Sequence, residues 1–388
     1  MEAKKQIHEW VEAHCEEMTE CWKTLVNTPS HVSRRNEGEV LCAKLKEIFD
    51  ELGFETEVVE SCPNNSPTLT GIWGKERPGK PVLFSGHYDT VDLKADLPFR
   101  YDEEGHVRGL GSLDMKGGIA ITIQVIRCLQ AMGWNERPVK ILFAGDEEIG
   151  HRGGLAGQTI RDFSKGCLCA FNMETGLISN DICVARKGAA FARITTNGVA
   201  SHSGNAFTAG RNAIAELAYK IPKIQALTDL SSGTTVSSNM IQGGTVINSV
   251  PGSCFLTVDI RYQKLSERER VMKEMGHITE ETVIGGCSSE MSFDEYMPPF
   301  EKTAEVVRLA SFVSQVSEDC GFGTMGQKEL GGGSDASHIG MAGVPVICSM
   351  GVCGEFNHTE REYALPQTLF SRTELLANVV CRAKEFEQ

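Results

Sequence analysis

Histidines and acids lie at the ends of predicted strands and in the turns between predicted elements of this sequence. The members of this set are His87, Asp89, Asp114, Asp146, Glu147, Glu148, Glu174 and His358. Ligand sites in open α/β sheets lie beyond the carboxyl ends of the strands. We therefore expect these side chains to meet at one edge of a sheet.

The chemistry of this set favours metal binding. Carboxylates crowded at a sheet edge, such as the adjacent Asp146, Glu147 and Glu148, repel one another unless a cation compensates them. Imidazoles and carboxylates are good zinc ligands, and a shared carboxylate can bridge two ions about 3.5–4 Å apart. Taken singly, each residue could be a surface acid, a hydrogen-bonded histidine or, for Asp114, a helix cap. The complete set predicts a pair of zinc ions.

The elements that must position these side chains alternate between helix and strand in the first half of the chain. Apolar periodicity predicts helices at 3–26, 37–52 and 116–132, and strands at 54–60, 68–73, 81–86, 139–144 and 168–173. Asp114 is expected to open the third helix. Alternation of this kind builds a sheet covered by helices on both faces, so the sequence predicts an α/β body.

The order of elements changes between residues 187 and 297. This segment predicts a strand, a helix at 208–225, two strands across 234–261, a helix at 267–281 and a final strand. The body then resumes with a helix at 301–316, a glycine turn at 331–333, a strand at 344–348 and a last helix. We therefore predict a discontinuous catalytic domain, residues 1–186 and 298–388, with an inserted α+β domain, residues 187–297.

The composition narrows the class of protein. The formal net charge of −14 argues against a nucleic-acid partner, because nucleic-acid binders carry clustered Lys and Arg. The polar segment 1–10 lacks the apolar stretch of a secretory signal, and no run approaches the ~20 apolar residues of a membrane helix. We expect a cytoplasmic protein without membrane contact. The 14 scattered cysteines are expected to be reduced and mostly buried.

Several motifs, in chain order, resemble those of the aminoacylase and carboxypeptidase G family of zinc metallopeptidases. The matching segments are Gly86–Val91, Gly109–Gly118, Asp146–Gly150, Met173–Glu174, Ser201–Gly204, Gly331–Ala336 and Asn357–His358. This family also includes acetylornithine deacetylases, succinyl-diaminopimelate desuccinylases and tripeptidases. The resemblance covers nearly the whole chain. It implies a three-layer zinc-peptidase sandwich whose inserted domain is a lid and the interface of a homodimer.

The resemblance also implies how the metal ions are held. His87 and Glu174 would bind one zinc ion, Glu148 and His358 the other, and Asp114 would bridge the two. Cobalt or manganese could occupy the same positions, because proteins select divalent metals by geometry as well as by affinity.

Three further residues receive catalytic roles from the same resemblance. Glu147 would be the general base that takes a proton from the attacking water and passes it to the departing amine. Asp89 would accept a hydrogen bond from the second ring nitrogen of His87. His202 would stabilise the transition state across the dimer interface. Its alternative is a loop histidine that caps the following helix.

The candidates for binding a substrate carboxylate are less specific. Asn248 and Arg261 flank the strand pair of the inserted domain, and Arg suits bidentate carboxylate binding. Gly332 and Gly333 precede a helix whose backbone donors could receive an anion. Arg261 could instead pair with Asp259, and the serine after the glycines could simply cap the helix.

These observations predict hydrolysis of an amide bond in a small peptide or N-acyl amino acid, with release of an amino acid that has a free carboxylate. The glycines at 331–333 and the form of segment 86–91 favour the glutamate carboxypeptidase branch. Deacylation of an N-acyl amino acid and di- or tripeptidase activity remain alternatives, since one methylene in a pocket is worth only ~1–3 kcal/mol. A non-catalytic homologue is disfavoured because Glu147 and all the ligand candidates are present.

Overall fold

A computed structural model describes residues 2–94 and 97–387. The chain forms two compact units. The first, the body unit, comprises residues 1–184, 302–330 and 334–388, and the second, the inserted unit, comprises residues 185–301 and 331–333. The predicted insertion, residues 187–297, falls within the second unit.

The described residues form eleven α-helices and four short helical turns. The α-helices are α1 (Glu2–Ala13), α2 (Cys15–Val26), α3 (Arg35–Glu51), α4 (Gly117–Ala131), α5 (Ala156–Ser164), α6 (Ala213–Gln225), α7 (Leu265–Glu280), α8 (Ala304–Cys320), α9 (Ala336–Met341), α10 (Gln367–Cys381) and α11 (Ala383–Glu387). Short helical turns occur at Ser112–Lys116, Glu147–Ile149, Phe207–Ala209 and Leu230–Ser232. Of the helices so described, none has the length and apolar character that crossing a membrane would require.

The strands are numbered in the same way. They are β1 (Glu55–Val59), β2 (Thr68–Trp73), β3 (Val82–His87), β4 (Arg100–Tyr101), β5 (Val107–Arg108), β6 (Val139–Ala144), β7 (Cys169–Asn172), β8 (Ile182–Arg186), β9 (Gly188–Asn197), β10 (Ser201–His202), β11 (Thr235–Gly243), β12 (Ser249–Val250), β13 (Ser253–Tyr262), β14 (Ser288–Met297), β15 (Gln327–Leu330), β16 (Val346–Ile347), β17 (Gly354–Glu355) and β18 (Tyr363–Ala364).

The body unit is built on a sheet with the strand order β1-β2-β6-β3-β7-β16. Strand β3 runs parallel to β6 and β7, and β16 runs parallel to β7. Strand β2 is antiparallel to both of its neighbours, β1 and β6. Strands β3 and β7 are buried along their whole length, which explains why they are continuous apolar runs rather than alternating ones. Helix α3 packs on β1 and β2, α4 on β3, and α8 on β16. The predicted α/β class is confirmed.

Two predicted helix boundaries in the body unit are wrong. The pattern at 3–26 contains two helices, α1 and α2, separated at His14, where φ is −119°. The buried positions of the two helices keep a helical spacing across the break, so periodicity does not reveal the break. These positions are Ile7, Val11, Met18, Trp22, Leu25 and Val26. Asp114 does not open α4. It lies in the separate turn Ser112–Lys116 with φ −117° and ψ 93°, and its peptide bond to Met115 is cis.

The inserted unit contains an antiparallel sheet with the order β11-β13-β9-β14, and α6 and α7 pack against it. Alternate residues of β13 are buried in the core that these helices cover: Cys254, Leu256, Val258, Ile260 and Tyr262. Helix α6 starts at Ala213, later than the predicted residue 208. The start is set by Asn212, whose side chain accepts a hydrogen bond from the backbone N–H of Ala215 at 3.0 Å.

Candidate metal centre and active site

The carboxyl ends of three neighbouring parallel strands carry the centre of the candidate site. Strand β3 ends at His87, which is in register with Ala144 at the end of β6. The turn Glu147–Ile149 follows β6, and Glu174 follows β7. Because β3 lies between β6 and β7, these side chains reach the same edge of the sheet, as the strand pattern predicted.

Asp114 lies between the two histidines of this cluster. Its Oδ1 is 3.2 Å from His87 Nε2, and its Oδ2 is 3.2 Å from His358 Nε2. Each histidine has a second carboxylate beside it. Glu174 Oε1 is 3.6 Å from His87 Nε2, and Glu148 Oε2 is 3.1 Å from His358 Nε2. One carboxylate therefore connects two groups that each contain an imidazole and an acid.

The donor set fits divalent cations. The ligand atoms of His87, Asp114 and Glu148 lie within 4.8 Å of one another, and so do those of His87, Glu147 and Glu174. Nitrogen and carboxylate oxygen donors at such spacing are those that zinc binds. The second group includes Glu147, to which the family resemblance gives the role of base, so this carboxylate could also reach a bound ion.

Burial and neighbouring charges shift the pKa values of the ionisable side chains in this cluster. Except for His358, whose side chain is 55% exposed, these side chains are nearly buried. Burial raises the pKa of Glu147, and the nearby Glu174 and Asp335 raise it further. Hydrogen bonds that His358 donates to Asp114 and Glu148 raise its pKa to about 11. The cluster contains more carboxylates than imidazoles, so its electrostatics favour the binding of a cation.

Asp89 supports the site in a way that differs in part from the prediction. Its carboxylate accepts the backbone N–H groups of Glu147 at 3.3 Å and Glu148 at 3.0 Å. Its Oδ1 is 3.4 Å from His87 Nδ1, but the shorter contact of that nitrogen, 3.0 Å, is with the main-chain carbonyl oxygen of Asp89. Asp89 thus orients His87 through its backbone and holds the turn that carries Glu147 and Glu148.

Two residues that sequence reasoning gave no role fix the position of Asp114. Asn357 Nδ2 donates to Asp114 Oδ2 at 2.8 Å and to Thr175 Oγ1 at 2.7 Å. Glu362 is buried, and its Oε1 accepts the backbone N–H of Leu113 at 2.8 Å. Asn357 stands beside His358 in a recognised motif and could have been found there. Glu362 has no comparable signal in the sequence.

Asp146 does not belong to the cluster of acids that its sequence position suggests. Its side chain is buried, and its Oδ2 accepts hydrogen bonds from Asn65 Nδ2 at 2.8 Å and Ser61 Oγ at 3.0 Å. Its Oδ1 lies 2.6 Å from His151 Nδ1. The carboxylates after β6 therefore separate, since Asp146 turns to these partners while Glu147 and Glu148 join the histidine cluster.

His202 is an exposed residue of the inserted unit. Its Nδ1 accepts the backbone N–H groups of Gly204 and Asn205, both at 3.1 Å. The alternative role predicted for it, a cap of the next helix, is wrong, because Asn212 caps α6. A ring nitrogen that accepts hydrogen bonds carries no proton, so in the neutral ring Nε2 carries the proton and can donate.

The inserted unit also contains Arg261 and Asn248. Arg261 forms two hydrogen bonds of 2.9 Å with the carboxylate of Asp259, which is the structural alternative considered for it. Asn248 is exposed, and its backbone oxygen accepts the N–H of Ser203 at 3.0 Å. The guanidinium of Arg261 thus already has a carboxylate partner, whereas Asn248 lies at the surface.

The glycine turn presents its carbonyl groups to an arginine. Arg186 Nη1 donates to the carbonyl oxygens of Gly332 and Gly333, each at 3.3 Å. In the body unit, Ser334 Oγ lies 3.5 Å from Cys348 Sγ, and the N-cap position of α9 is Asp335. The predicted alternative of a cap by Ser334 is therefore wrong.

The fold and the site define a metal-dependent hydrolase of the peptidase and amidohydrolase type. The chain belongs to peptidase family M20/M25/M40, whose model matches residues 83–382. The family resemblance predicted from the motifs is confirmed.

The proteins to which this chain is similar are named for different activities. The chain is 27% identical to carboxypeptidase G2 of Pseudomonas sp. strain RS-16 over 316 residues, which cover 79% of this chain and 75% of the relative. It is 24% identical to a succinyl-diaminopimelate desuccinylase of Cereibacter sphaeroides over 357 residues, covering 86% and 90%. The structure of an aminopeptidase PepT from Bacillus cereus matches with a TM-score of 0.80 at 22% identity, covering 95% and 99%, which shows the fold.

Proposed function

We propose that this protein is a zinc-dependent exopeptidase of the glutamate carboxypeptidase type, which hydrolyses an amide bond and releases an amino acid with a free carboxylate. One observation carries this proposal: the two oxygens of Asp114 face two different imidazoles, and each imidazole has a further carboxylate beside it. The likeness to carboxypeptidase G2 supports this branch of the family.

In this proposal, the cluster would take two zinc ions. His87 and Glu174 would hold one ion, Glu148 and His358 would hold the other, and Asp114 would be a ligand shared by both. Cobalt or manganese can serve in the same positions. When bound, such a pair of ions polarises the scissile carbonyl and lowers the pKa of an attacking water toward ~7.

Glu147 acts as the general base. Its Oε2 lies 4.0 Å from His87 Nε2, so its carboxylate lies beside a proposed metal ligand. Glu147 accepts the proton of the water as the oxygen attacks the carbonyl carbon. It then delivers this proton to the amine nitrogen as the C–N bond breaks, which leaves the carboxylate ready for the next cycle.

The inserted unit supplies the remaining groups. His202 donates from Nε2 to the oxygen that becomes negative in the transition state, and it does so in the partner chain of a homodimer. Asn248, Arg261 and the backbone of Gly332 and Gly333 are the candidates for binding the substrate carboxylate. Among these, Asn248 is favoured by its exposure, because Arg261 is paired with Asp259. The dimer and the cytoplasmic location stay predictions from the sequence.

The second candidate function is deacylation of an N-acyl amino acid. The likeness to succinyl-diaminopimelate desuccinylase over most of both chains favours it. The same ligands and base serve both reactions, and only the groups that contact the acyl chain differ. Cleavage of di- or tripeptides is a third variant of the same chemistry.

A substrate panel distinguishes these functions. Zinc-loaded protein is incubated with dipeptides that end in glutamate, with other di- and tripeptides, and with acetyl and succinyl amino acids, and the released amine is measured. We expect the highest kcat/KM for the peptides with C-terminal glutamate. Preferential release from succinyl or acetyl amino acids would replace the exopeptidase proposal by the deacylase one. Absence of cleavage across the whole panel would contradict both.

A further inference from the structure

A buried group of charged side chains lies beside the proposed active site, and none of its members has been given the role of metal ligand, base or substrate-binding group above. His151 Nδ1 is 2.6 Å from Asp146 Oδ1, and His151 Nε2 is 2.7 Å from Asp335 Oδ1. None of the three residues is more than 6% exposed. The imidazole of His151 thus connects two carboxylates away from solvent.

The hydrogen bonds of His151 with Asp146 and Asp335 are strong because of the chemistry of the three side chains. An ionised carboxylate can only accept hydrogen bonds, so both ring nitrogens of His151 must donate. His151 is therefore an imidazolium held between Asp146 and Asp335. Breaking a buried ion pair by removing one partner leaves the other charge without compensation, which is far more costly than losing a surface pair.

The connection joins three segments that are distant in sequence. Asp146 directly precedes Glu147 and Glu148, and its other oxygen is bonded to Asn65 and Ser61. His151 follows the same turn, and its backbone N–H donates to the carbonyl oxygen of Asp146 at 3.0 Å. Asp335 lies at the start of α9. Asp146 and His151 therefore flank the turn that carries Glu147, and the contact of His151 with Asp335 connects this turn to α9.

The backbone at His151 is in a left-handed conformation. Its φ is +57°, a region that asparagine, aspartate and histidine enter more often than other residues with a side chain. Among these three, only histidine has two donors on opposite sides of one ring. Asp335 Oδ2 is buried and has no hydrogen-bond partner among the described residues, so Asp335 depends on His151 for the bonding of its carboxylate.

We propose that His151 is a positioning residue that fixes the turn bearing Glu147 and Glu148 by bridging Asp146 and Asp335. The proposal rests on the function proposed above. It predicts that weakening the bridge displaces the base and one metal ligand without changing the groups that bind substrate.

The neighbouring His338 provides a matched control. It is also buried, and its ring centroid is 5.4 Å from that of His151. Its Nδ1 accepts a hydrogen bond from Arg161 Nη1 at 2.8 Å. A change at His338 therefore disturbs the same packing without breaking the bridge between Asp146 and Asp335.

The test compares His151→Asn with His338→Asn at saturating zinc. Asparagine tolerates the backbone conformation at position 151 and keeps one donor near Asp146, but it cannot also reach Asp335. Misplacement of a catalytic group by about 1 Å costs up to ~10² in rate, so we expect kcat of His151→Asn to fall about 10- to 100-fold with KM unchanged. His338→Asn should lower the melting temperature and leave kcat as it is.

Two further measurements make the outcome decisive. Asp335→Asn should resemble His151→Asn, and the double variant should be no slower than either single one, because both changes break the same bridge. Calorimetric titration of metal-free protein with zinc alone should show weaker binding in His151→Asn, by the about 10- to 100-fold typical of residues that orient ligands.

The proposal is overturned if His151→Asn loses thermal stability but keeps the wild-type kcat and zinc affinity. Fully additive effects of the His151 and Asp335 changes on kcat would also overturn it. If the wild-type protein cleaves nothing in the substrate panel, the proposed function fails on its own, and the zinc titrations still decide whether His151 positions Glu148.

Discussion

Asp114 is the residue on which the candidate metal centre depends. Its two oxygens contact His87 and His358 separately, and its position is fixed by Asn357 and by the bond between Glu362 and the backbone of Leu113. A single carboxylate with neighbours on both sides is the arrangement that a bridged pair of ions needs. In the proposed centre, the two ion positions would therefore be coupled through one side chain.

Replacing Asp114 by asparagine should reduce the zinc content from two ions per chain to at most one. The amide has one oxygen acceptor and one nitrogen donor group, so it cannot bridge two cations. Metal analysis after dialysis against zinc measures the content. Glu360→Gln is the control, since it removes an exposed carboxylate near His358 and should leave two ions bound. Retention of two ions by Asp114→Asn would contradict the bridging role.

The sequence made some site residues recognisable and left others hidden for a physical reason. His87, Glu148 and Glu174 follow apolar strands, so the edge at which they meet could be predicted from the strand pattern. The contact of His151 with Asp335 joins residues 184 positions apart, and the local sequence around either residue does not predict it. The prediction of a common cluster for the acids after β6 failed at Asp146, because a partner in a distant loop competes for its carboxylate.

At the scale of elements, helix α4 lies directly against the strand end that precedes Glu174. A Cβ atom at Gly118, near the start of α4, would be 2.0 Å from the backbone oxygen of Met173. Glycine is therefore needed at this close approach, although it is unfavourable inside a helix. In α7, by contrast, a Cβ atom at Gly276 would meet nothing within 4 Å.

Substituting alanine at these two glycines should change stability in opposite directions. Gly118→Ala forces backbone away from a close contact and should destabilise the body unit by about 1–3 kcal/mol. Gly276→Ala enters open space in a helix and should stabilise the inserted unit by about 0.5–1 kcal/mol. Urea unfolding followed by circular dichroism measures both effects. A stabilising Gly118→Ala would contradict the packing described for α4.

Helices and strands could be predicted from the sequence where one face of the element, or the whole strand, is buried. Strands β2 and β6 match the predicted ranges, and α7 and α8 differ from theirs by a few residues. The misplaced boundaries share a cause. Periodicity reports which residues are buried but not where the hydrogen-bonded ladder is interrupted, as at His14, or where a side chain such as Asn212 caps a helix.

At the scale of the whole molecule, the cysteines are a packing feature. All 14 are free thiols, and nine of them are buried. Burial raises the pKa of Cys42 and Cys167 to about 11, which suppresses their reactive thiolate forms near neutral pH. The expectation of mostly buried cysteines is confirmed, and their reduced state stays a prediction from the sequence.

Thiol titration should therefore proceed in two stages. With a chromogenic disulfide reagent at pH 8, the native protein should react rapidly at no more than the five half-buried cysteines, which are Cys15, Cys21, Cys62, Cys320 and Cys381. All 14 should react after denaturation. Fewer than 14 reactive thiols in the denatured, unreduced chain would indicate disulfides and contradict the structure.

Metal removal should affect the stability of the whole protein as well as its activity. The site gathers the carboxylates of Asp114, Glu147, Glu148 and Glu174 in a nearly buried place, where their repulsion needs a cation. A ligand at about 100 times its Kd adds ~2.7 kcal/mol to the stability of the state that binds it. Chelator should thus lower the melting temperature and abolish hydrolysis, and added zinc should restore both. Full activity in excess chelator would contradict the metal-dependent function.

The most direct test of the central claim is the rate of Glu147→Gln at saturating zinc on the best substrate of the panel. The substitution keeps the size of the side chain and removes its ability to accept a proton. The predicted result is a fall in kcat of at least ~10² while two zinc ions stay bound per chain. A variant that binds two ions and hydrolyses at the wild-type rate would show that Glu147 is not the base.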